Sequence, residues 1–326
     1  MARLVAAFGS SHSIMLTTSL EDWQVRFRER DKEIHLIDHE GDPIAWDEAV
    51  KSAPANAAEL IKPERIAERF ANAHAMIAKL KGDIAAAELD ALIVVGDDQY
   101  ELFQDVHMPS IAIYYGDKIR NAGRVPVPEA EWYRRGMMGY RDDTETSYPC
   151  DGALARHLID GLMQREFDIS TSNSLGKLYE GHAFSFIHRA YLAERPVPIV
   201  PVFLNTYYPP NPPTPKRCVA LGKAIAELVG RYPGDARIGI LGSGGLSHFL
   251  IDEALDTDIV EAFRRNDIDR LAALEPRRLR SGTSEIRNWI VMAAAAAALK
   301  LDWISYIPGY RSPALTGTGL CFARWS

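Results

Sequence analysis

The sequence predicts an α/β fold with three layers, α/β/α, around a mixed, mostly parallel central sheet. Short apolar segments typical of buried strands alternate along the chain with longer amphipathic segments typical of helices. Strands that alternate with helices form largely parallel sheets that are covered on both faces. Polar clusters follow several of the predicted strands, which is where α/β proteins form their ligand crevices. The 326 residues contain no internal repeat or flexible linker, so we expect a single domain over residues 1–326.

The first half of the chain predicts strands on either side of a helical insertion. The apolar segment Ala2–Phe8 predicts the first strand. Residues from about 15 to 88 predict the insertion, because apolar side chains recur at helical spacing, first before Ile34 and again from Pro63 onward. Residues 90–95 and 111–115 predict two buried strands. The polar residues 116–148 are too many for an unstructured connection, so we expect a lid or an interface element there.

The second half predicts a regular alternation of helices and strands. Asp151 and Thr214 are good N-cap residues, and Pro215 is a good first helical residue, so helices are expected to begin at these points. The other predicted helices cover residues 251–274 and 283–300. The predicted strands are residues 167–172, 198–205, 237–241, 301–306 and 320–325.

Composition and charge exclude several classes of function. The net charge of −7 and the pI of about 5.8 argue against nucleic-acid binding. No apolar run reaches the roughly 18 residues of a membrane span, so no membrane partner is expected. The three cysteines are scattered and lack metal-ligand spacing, which favours reduced thiols in a cytoplasmic protein.

Polar residues follow predicted strand ends or open predicted helices at four places: His12, residues 97–101, His182 and His248. Because the carboxyl ends of parallel strands share one edge of a sheet, these residues are expected to meet in one crevice. Glu285 is a fifth candidate, in the first turn of the last long helix. For His182 and Glu285 an ordinary helix N-terminal role explains the residue equally well.

A His and a Glu with one further N or O ligand form an arrangement suited to a redox metal such as Fe(II). A separate His outside the metal ligands would serve as an acid or base. This set of residues fits oxygen chemistry better than zinc hydrolysis, which nevertheless stays open.

Five spaced motifs follow one another along the chain: SSH ending at His12, EGHAF around His182, the segment PVFLNTYYPP with the following TPKRCVALGKAI, GSGGLSH ending at His248, and SGTSEIRNW around Glu285. In this order they resemble the class III extradiol ring-cleavage dioxygenases, the family of the protocatechuate 4,5-dioxygenase β subunit. The resemblance covers most of the chain and is weakest between about residues 13 and 90.

The resemblance implies a non-haem Fe(II) held by two His and one Glu, with a further His as acid/base. Carried over by motif, His12 and Glu285 are metal ligands and His248 is the acid/base residue. His182 is a second active-site histidine near the substrate. The family's other ligand histidine ends an Asn-Asp-His motif, and here that position holds Gln99.

The departure at Gln99 changes the expected metal chemistry. A glutamine carbonyl oxygen is a weaker and harder ligand than an imidazole, so Fe(II) affinity is expected to fall. Three outcomes stay open. Gln99 ligates the metal directly, a nearby carboxylate (Asp98 or Glu101) replaces it, or the site has lost its metal.

The resemblance therefore predicts a dioxygenase that opens the ring of a catecholic, carboxylated aromatic compound with Fe(II) and O2. Asp98, Glu101 and Tyr207 are candidate substrate contacts, and Arg311 is a candidate anchor for a substrate carboxylate, with a loop salt bridge as its alternative. We expect a homodimer whose insertion covers the site, as a separate small helical subunit does in the family's type enzyme. The alternatives are non-oxidative chemistry (hydrolysis or lyase chemistry) or ligand binding at an altered metal site, and a non-catalytic partner subunit.

Overall fold

Thirteen strands are found in the computed structural model, which describes residues 1–122 and 130–326. They are β1 (Arg3–Ser10), β2 (Leu36–Ile37), β3 (Pro43–Ile44), β4 (Ala91–Asp97), β5 (Ile111–Tyr114), β6 (Lys118–Asn121), β7 (Thr146–Pro149), β8 (Ser170–Ser172), β9 (Ile199–Leu204), β10 (Arg237–Ser243), β11 (His248–Leu250), β12 (Leu301–Pro308) and β13 (Thr316–Trp325).

Eleven α-helices lie in the same described residues. They are α1 (Phe27–Arg30), α2 (Trp46–Ser52), α3 (Ala57–Leu60), α4 (Pro63–Ala86), α5 (Glu131–Met138), α6 (Gly152–Met163), α7 (His182–Ile187), α8 (Pro215–Val229), α9 (Glu253–Arg265), α10 (Ile268–Ala272) and α11 (Ile286–Ala295). The predicted caps are confirmed, because Asp151 accepts a hydrogen bond from a backbone N–H in the first turn of α6 and Thr214 does the same for α8.

The central sheet has the order β11-β13-β1-β10-β4-β9-β5-β8, and β12 pairs with β13 at its side. The four strands β1, β10, β4 and β9 run parallel to one another. Antiparallel pairing joins β13 to β1, β11 and β12, and β5 to β9. The predicted mixed sheet with a parallel centre is confirmed.

Strand β4 shows why helices cover both faces of the sheet. Its side chains alternate, so that Ile93 and Val95 enter one hydrophobic core while Leu92 and Val94 enter the other. Helices α6, α8, α9, α10 and α11 pack in the first core, and α4 and α7 pack in the second. The three-layer α/β/α prediction is therefore confirmed.

The parallel centre brings the carboxyl ends of four strands to one edge. Ser10, Asp97, Leu204 and Ser243 are the last residues of β1, β4, β9 and β10. The segments that follow these strands lie side by side, which positions the candidate site described below.

Residues 15–88 contain α1 to α4 and the small β2–β3 hairpin, so the predicted helical content is found there. Its status as an insertion into one catalytic domain stays a prediction. The lid or interface element predicted over residues 116–148 falls partly outside the described residues, which omit 123–129. Its described part contains α5 and the antiparallel pair β6–β7 and is more regular than the sequence indicated.

Candidate metal centre

Four side chains converge at the carboxyl edge of the parallel strands: His12, Asp97, His182 and Glu285. A ligand-type atom of each lies within 4.8 Å of those of the other three. His12 comes two residues after β1, and Asp97 ends β4. His182 begins α7, and Glu285 ends a 3₁₀ turn (Ser281–Glu285) that leads into α11.

His12 is buried and is oriented by a serine from the neighbouring strand. Its Nδ1 lies 2.9 Å from Ser243 Oγ, and the Ser243 hydroxyl donates at 2.7 Å to the carbonyl of Ala183. Because the hydroxyl proton is used on that carbonyl, Nδ1 must donate to Ser243 Oγ. Nε2 therefore faces the centre, 3.3 Å from Glu285 Oε2 and 3.8 Å from Asp97 Oδ1.

His182 is held by Glu101 in a two-point contact. One carboxylate oxygen accepts the backbone N–H of His182 at 2.8 Å and the other lies 2.7 Å from Nδ1. The Nε2 atom points inward, 3.8 Å from Asp97 Oδ2. Burial lowers the pKa of His182, but the charge and hydrogen bond of Glu101 outweigh burial and raise that pKa to about 10.

Glu285 is surrounded by donors. Its Oε2 accepts the backbone N–H of Gly245 at 2.7 Å, and its Oε1 accepts the Tyr207 hydroxyl at 3.1 Å. Burial opposes ionisation, but the electrostatic interactions with His248 and His12 outweigh burial and hold the pKa of Glu285 well below its usual range. A buried, ionised carboxylate has the protonation state that metal binding requires.

Asp97 belongs to the polar cluster 97–101 that the sequence indicated, but the sequence interpretation assigned it no role of its own. It is fully buried and accepts a hydrogen bond from Asn288 Nδ2 at 3.1 Å. Burial and the charge of Glu285 raise the pKa of Asp97. The available signal was its position, because an aspartate that directly continues the buried strand β4 lies nearer the sheet edge than the loop residue Gln99.

His248 lies on β11, a short strand that sequence periodicity did not indicate. Its Nδ1 lies 2.9 Å from the carbonyl of Leu246, so Nδ1 donates and Nε2 is left as the basic atom, 3.8 Å from Glu285 Oε2. Burial lowers the pKa of His248. Gly245 allows this packing, since a Cβ there would lie 2.3 Å from His248 Cε1.

Asp256 supports the turn that carries His248. Its Oδ1 accepts the backbone N–H of Ser247 at 2.9 Å, and its Oδ2 accepts the hydroxyls of Ser247 at 2.6 Å and Tyr306 at 2.7 Å. Burial raises the pKa of Asp256 to about 7 even though these hydrogen bonds favour the charged form.

Gln99 reaches the centre with its amide nitrogen. Nε2 lies 3.4 Å from Asp97 Oδ2 and 3.4 Å from Glu285 Oε1. Asp98 turns away from the centre and accepts the backbone N–H groups of Leu102 and Phe103. Burial and the charge of Glu101 raise the pKa of Asp98 to about 7.

Arg311 forms a salt bridge, which the sequence analysis gave as the alternative to binding a substrate carboxylate. Its Nε and Nη2 donate to both oxygens of Asp31 at 2.7 and 2.8 Å, and its guanidinium lies 4.1 Å from the centroid of the Phe27 ring. Both side chains of the ion pair are buried. The guanidinium is therefore paired with a carboxylate of the protein itself, and a role in substrate binding stays a prediction.

The four converging residues fit a divalent metal ion. Among the residues that the structure describes, the Nε2 atoms of His12 and His182 have no hydrogen-bond partner, although both atoms are buried. A buried polar atom without a partner is costly, and here both atoms face carboxylate oxygens. Imidazole nitrogens and carboxylates together suit first-row divalent ions such as iron and manganese.

Residues 54–320 match the sequence model of a family described as the catalytic LigB subunit of aromatic ring-opening dioxygenase. The chain belongs to this family. The matched range includes Asp97, His182, His248 and Glu285 and begins after His12. The resemblance to the class III extradiol dioxygenases is thereby confirmed, and members of this family are metal-dependent.

Two curated relatives show how far the similarity extends. A 2,3-dihydroxyphenylpropionate/2,3-dihydroxicinnamic acid 1,2-dioxygenase of Comamonas testosteroni is 28% identical over 166 residues, which cover 49% of this chain and 43% of that protein. A gallate dioxygenase of Pseudomonas putida is 29% identical over 160 residues, which cover 45% of this chain and 46% of that protein. The matched part thus spans less than half the length of either relative.

Among solved structures, an uncharacterised protein of Escherichia coli K12 is similar over 73% of this chain and 86% of its own, with 12% identity and a TM-score of 0.39. No functional conclusion follows from a likeness at this level. Within residues 1–122 and 130–326, no helix combines the length and the apolar character that a membrane crossing requires.

Proposed function

We propose that this protein is an extradiol-type dioxygenase that uses Fe(II) and O2 to open the ring of a catecholic aromatic compound. The observation that carries the proposal is the meeting of His12, Glu285 and the basic Nε2 of His248 at one buried edge of the sheet. A metal site with a separate base beside it is what ring opening of a catechol requires.

Each residue of the site has a proposed role. His12 and Glu285 hold the metal, and Tyr207 fixes the orientation of Glu285 through its hydroxyl. Fe(II), when bound, would supply the redox chemistry that allows O2 to react with an aromatic ring. His248 accepts a catechol proton at Nε2 and returns it during ring opening, since its Nδ1 is committed to the Leu246 carbonyl.

The proposed substrate is a catechol that carries a carboxylate. The relatives named above are a dihydroxyphenylpropionate and a gallate dioxygenase, and both named substrates are aromatic acids. His182, Asp98, Glu101 and Tyr207 lie at or around the metal centre and are proposed to border the substrate. Arg311 would bind the substrate carboxylate only in competition with Asp31.

Anaerobic reconstitution with Fe(II), followed by oxygen uptake with a panel of catechols and gallates, tests the proposal. We expect uptake with at least one carboxylated catechol and no uptake with the Glu285→Ala variant. Elemental analysis of the same samples must accompany the assay. Absence of uptake across the panel, with stoichiometric iron bound, would reject ring cleavage in favour of non-oxidative chemistry or ligand binding.

Three further features belong to the proposal. The protein is a cytoplasmic homodimer. Light scattering of the purified protein tests the dimer, and fractionation of the source cells tests the compartment. Its helical residues 15–88 cover the site and replace a separate small subunit. In support of this cover, Ile37, Asp38 and His39 line a small cavity of about 10 Å³ together with His248. Copurification of a second chain would instead support a partner-subunit role.

A further inference from the structure

We propose that the metal ion in this protein is held by His12, Asp97, His182 and Glu285, and that Gln99 is not a ligand. Asp97 thus replaces the histidine that is expected at the position of Gln99, and His182 completes the set. The inference depends on the proposed function only in assuming that the protein holds a divalent metal.

Three distances between these side chains fall in the range that the ligands of one ion span. With metal–ligand bonds of about 2.1 Å, neighbouring ligands of an octahedral ion lie about 3 Å apart and opposite ligands about 4.2 Å apart. The distance from His12 Nε2 is 3.3 Å to Glu285 Oε2 and 3.8 Å to Asp97 Oδ1, and that from His182 Nε2 to Asp97 Oδ2 is 3.8 Å. All three distances lie between the two limits.

Both histidines are prepared as ligands by a partner on the other ring nitrogen. Ser243 receives the Nδ1 proton of His12, and Glu101 receives that of His182. In the neutral ring each Nε2 therefore presents a lone pair to the centre, where it meets carboxylate oxygens that are also electron-rich. A divalent cation that displaces any proton from these nitrogens would be held by two imidazole lone pairs and two carboxylates.

Gln99 is oriented against ligation. Its amide N–H groups point to Asp97 Oδ2 and Glu285 Oε1, at 3.4 Å from each oxygen. Turning the amide over would place its carbonyl oxygen against two carboxylate oxygens, which is electrostatically unfavourable. Gln99 therefore steadies the two carboxylates from outside the metal ligands, as Asn288 does for Asp97 from the other side.

The charges of the site balance with a divalent ion in place. Asp97, Glu101 and Glu285 bring three negative charges to a buried region, with both histidines neutral as ligands. Arg141 lies 3.8 Å from Glu101 and supplies one positive charge. A divalent ion supplies the remaining two. The buried carboxylates are therefore compensated when a divalent ion is bound, as a buried charge requires.

Titration of the metal-free protein with Co(II) and Mn(II), followed by calorimetry and by the visible absorption of Co(II), tests the assignment. Removal of a partner outside the ligand set typically weakens metal binding about 10- to 100-fold, so loss of a ligand is expected to exceed about 100-fold. We expect this larger loss, with a changed Co(II) spectrum, for Asp97→Asn and His182→Gln. Asp97→Ala serves as a second variant, because asparagine retains an oxygen.

The matched variants are Gln99→Ala and Asp98→Asn, neighbours of Asp97 that leave the proposed ligands intact. For Gln99→Ala we expect a loss of at most about 100-fold and an unchanged Co(II) spectrum, and for Asp98→Asn no change. Circular dichroism establishes that each variant is folded. A loss above about 100-fold for Gln99→Ala, or unchanged binding for His182→Gln or for both Asp97 variants, would overturn the assignment while leaving a metal-dependent function intact. Failure of the wild-type protein to bind either ion would reject both the assignment and the proposed metal-dependent function.

Discussion

The buried ion pair between Arg311 and Asp31 allows a quantitative prediction about a residue that sequence alone offered as a substrate anchor. The guanidinium and the carboxylate share two hydrogen bonds of 2.7 and 2.8 Å, and their side chains are 3% and 0% exposed. Arg311→Met keeps an apolar stem over the Phe27 ring but removes the countercharge of Asp31. Breaking a buried pair in this way costs about 3–5 kcal/mol, so we expect the free energy of unfolding to fall by that amount.

Urea unfolding of the wild type, Arg311→Met and the double variant Arg311→Met/Asp31→Leu measures this effect. The double variant should regain most of the lost stability, because it no longer buries an unpaired charge. KM values for a carboxylated and an uncarboxylated catechol are measured in parallel and should change together, if at all. Stability within about 1 kcal/mol of the wild type, with KM raised only for the carboxylated substrate, would refute the structural role and restore Arg311 as an anchor.

Three other predictions concern the site and its supports. His248→Ala should retain metal but lose turnover, whereas Glu285→Ala should lose the metal, as elemental analysis and oxygen uptake will show; loss of metal from His248→Ala would contradict the acid/base role. Gly245→Ala should displace the His248 ring and lower turnover at least about 10-fold with metal retained, since the new Cβ would lie 2.3 Å from Cε1. Gly82→Ala is its control, because a Cβ there meets nothing within 4 Å; it should leave turnover unchanged and stabilise helix α4 by up to about 1 kcal/mol. The pKa of Asp256 rises from 3.8 to about 7 on folding, so ionisation of this carboxyl group opposes folding. Its contribution to the free energy of unfolding should therefore fall by up to about 4 kcal/mol as the pH rises from about 4 to about 7. Urea unfolding at several pH values should show this fall in the wild type and not in Asp256→Asn, and parallel pH profiles of the two proteins would contradict it.

The parallel centre of the fold and the location of the site were predictable from local patterns. Strands such as β4 and β9 are buried on both faces, and their sequences are therefore nearly uninterrupted runs of apolar residues. Because these strands run parallel, the residues at their ends had to meet at one edge, as His12 after β1 does with Asp97 at the end of β4, and Glu285 reaches this edge from the turn before α11.

The identity of the second carboxylate at the centre was not predictable in the same way. Whether Asp97, Asp98 or Gln99 faces the centre depends on where β4 ends and on how the following loop turns. That turn is set by contacts with residues far along the chain, such as Asn288, which lies 191 positions after Asp97. The Arg311–Asp31 pair joins residues 280 positions apart, so local sequence patterns could not predict it either.

Strand β11 illustrates a second limit. His248 and the two residues after it form a strand only because β13 pairs with them, through Thr318 and its neighbours. Three residues carry too little periodicity to indicate this pairing, so sequence alone placed His248 at a turn before a helix. Its environment, and with it the direction of its basic nitrogen, follows from tertiary contacts.

Incubation of the Fe(II)-reconstituted protein with a catecholic acid under ¹⁸O2, followed by mass spectrometry of the product, tests the proposed function most directly. Ring cleavage by a dioxygenase predicts that the ring-opened product gains two oxygen atoms that both come from one O2 molecule. A product without label, or one whose new oxygen comes from water, would contradict the proposal and indicate non-oxidative chemistry at the same site.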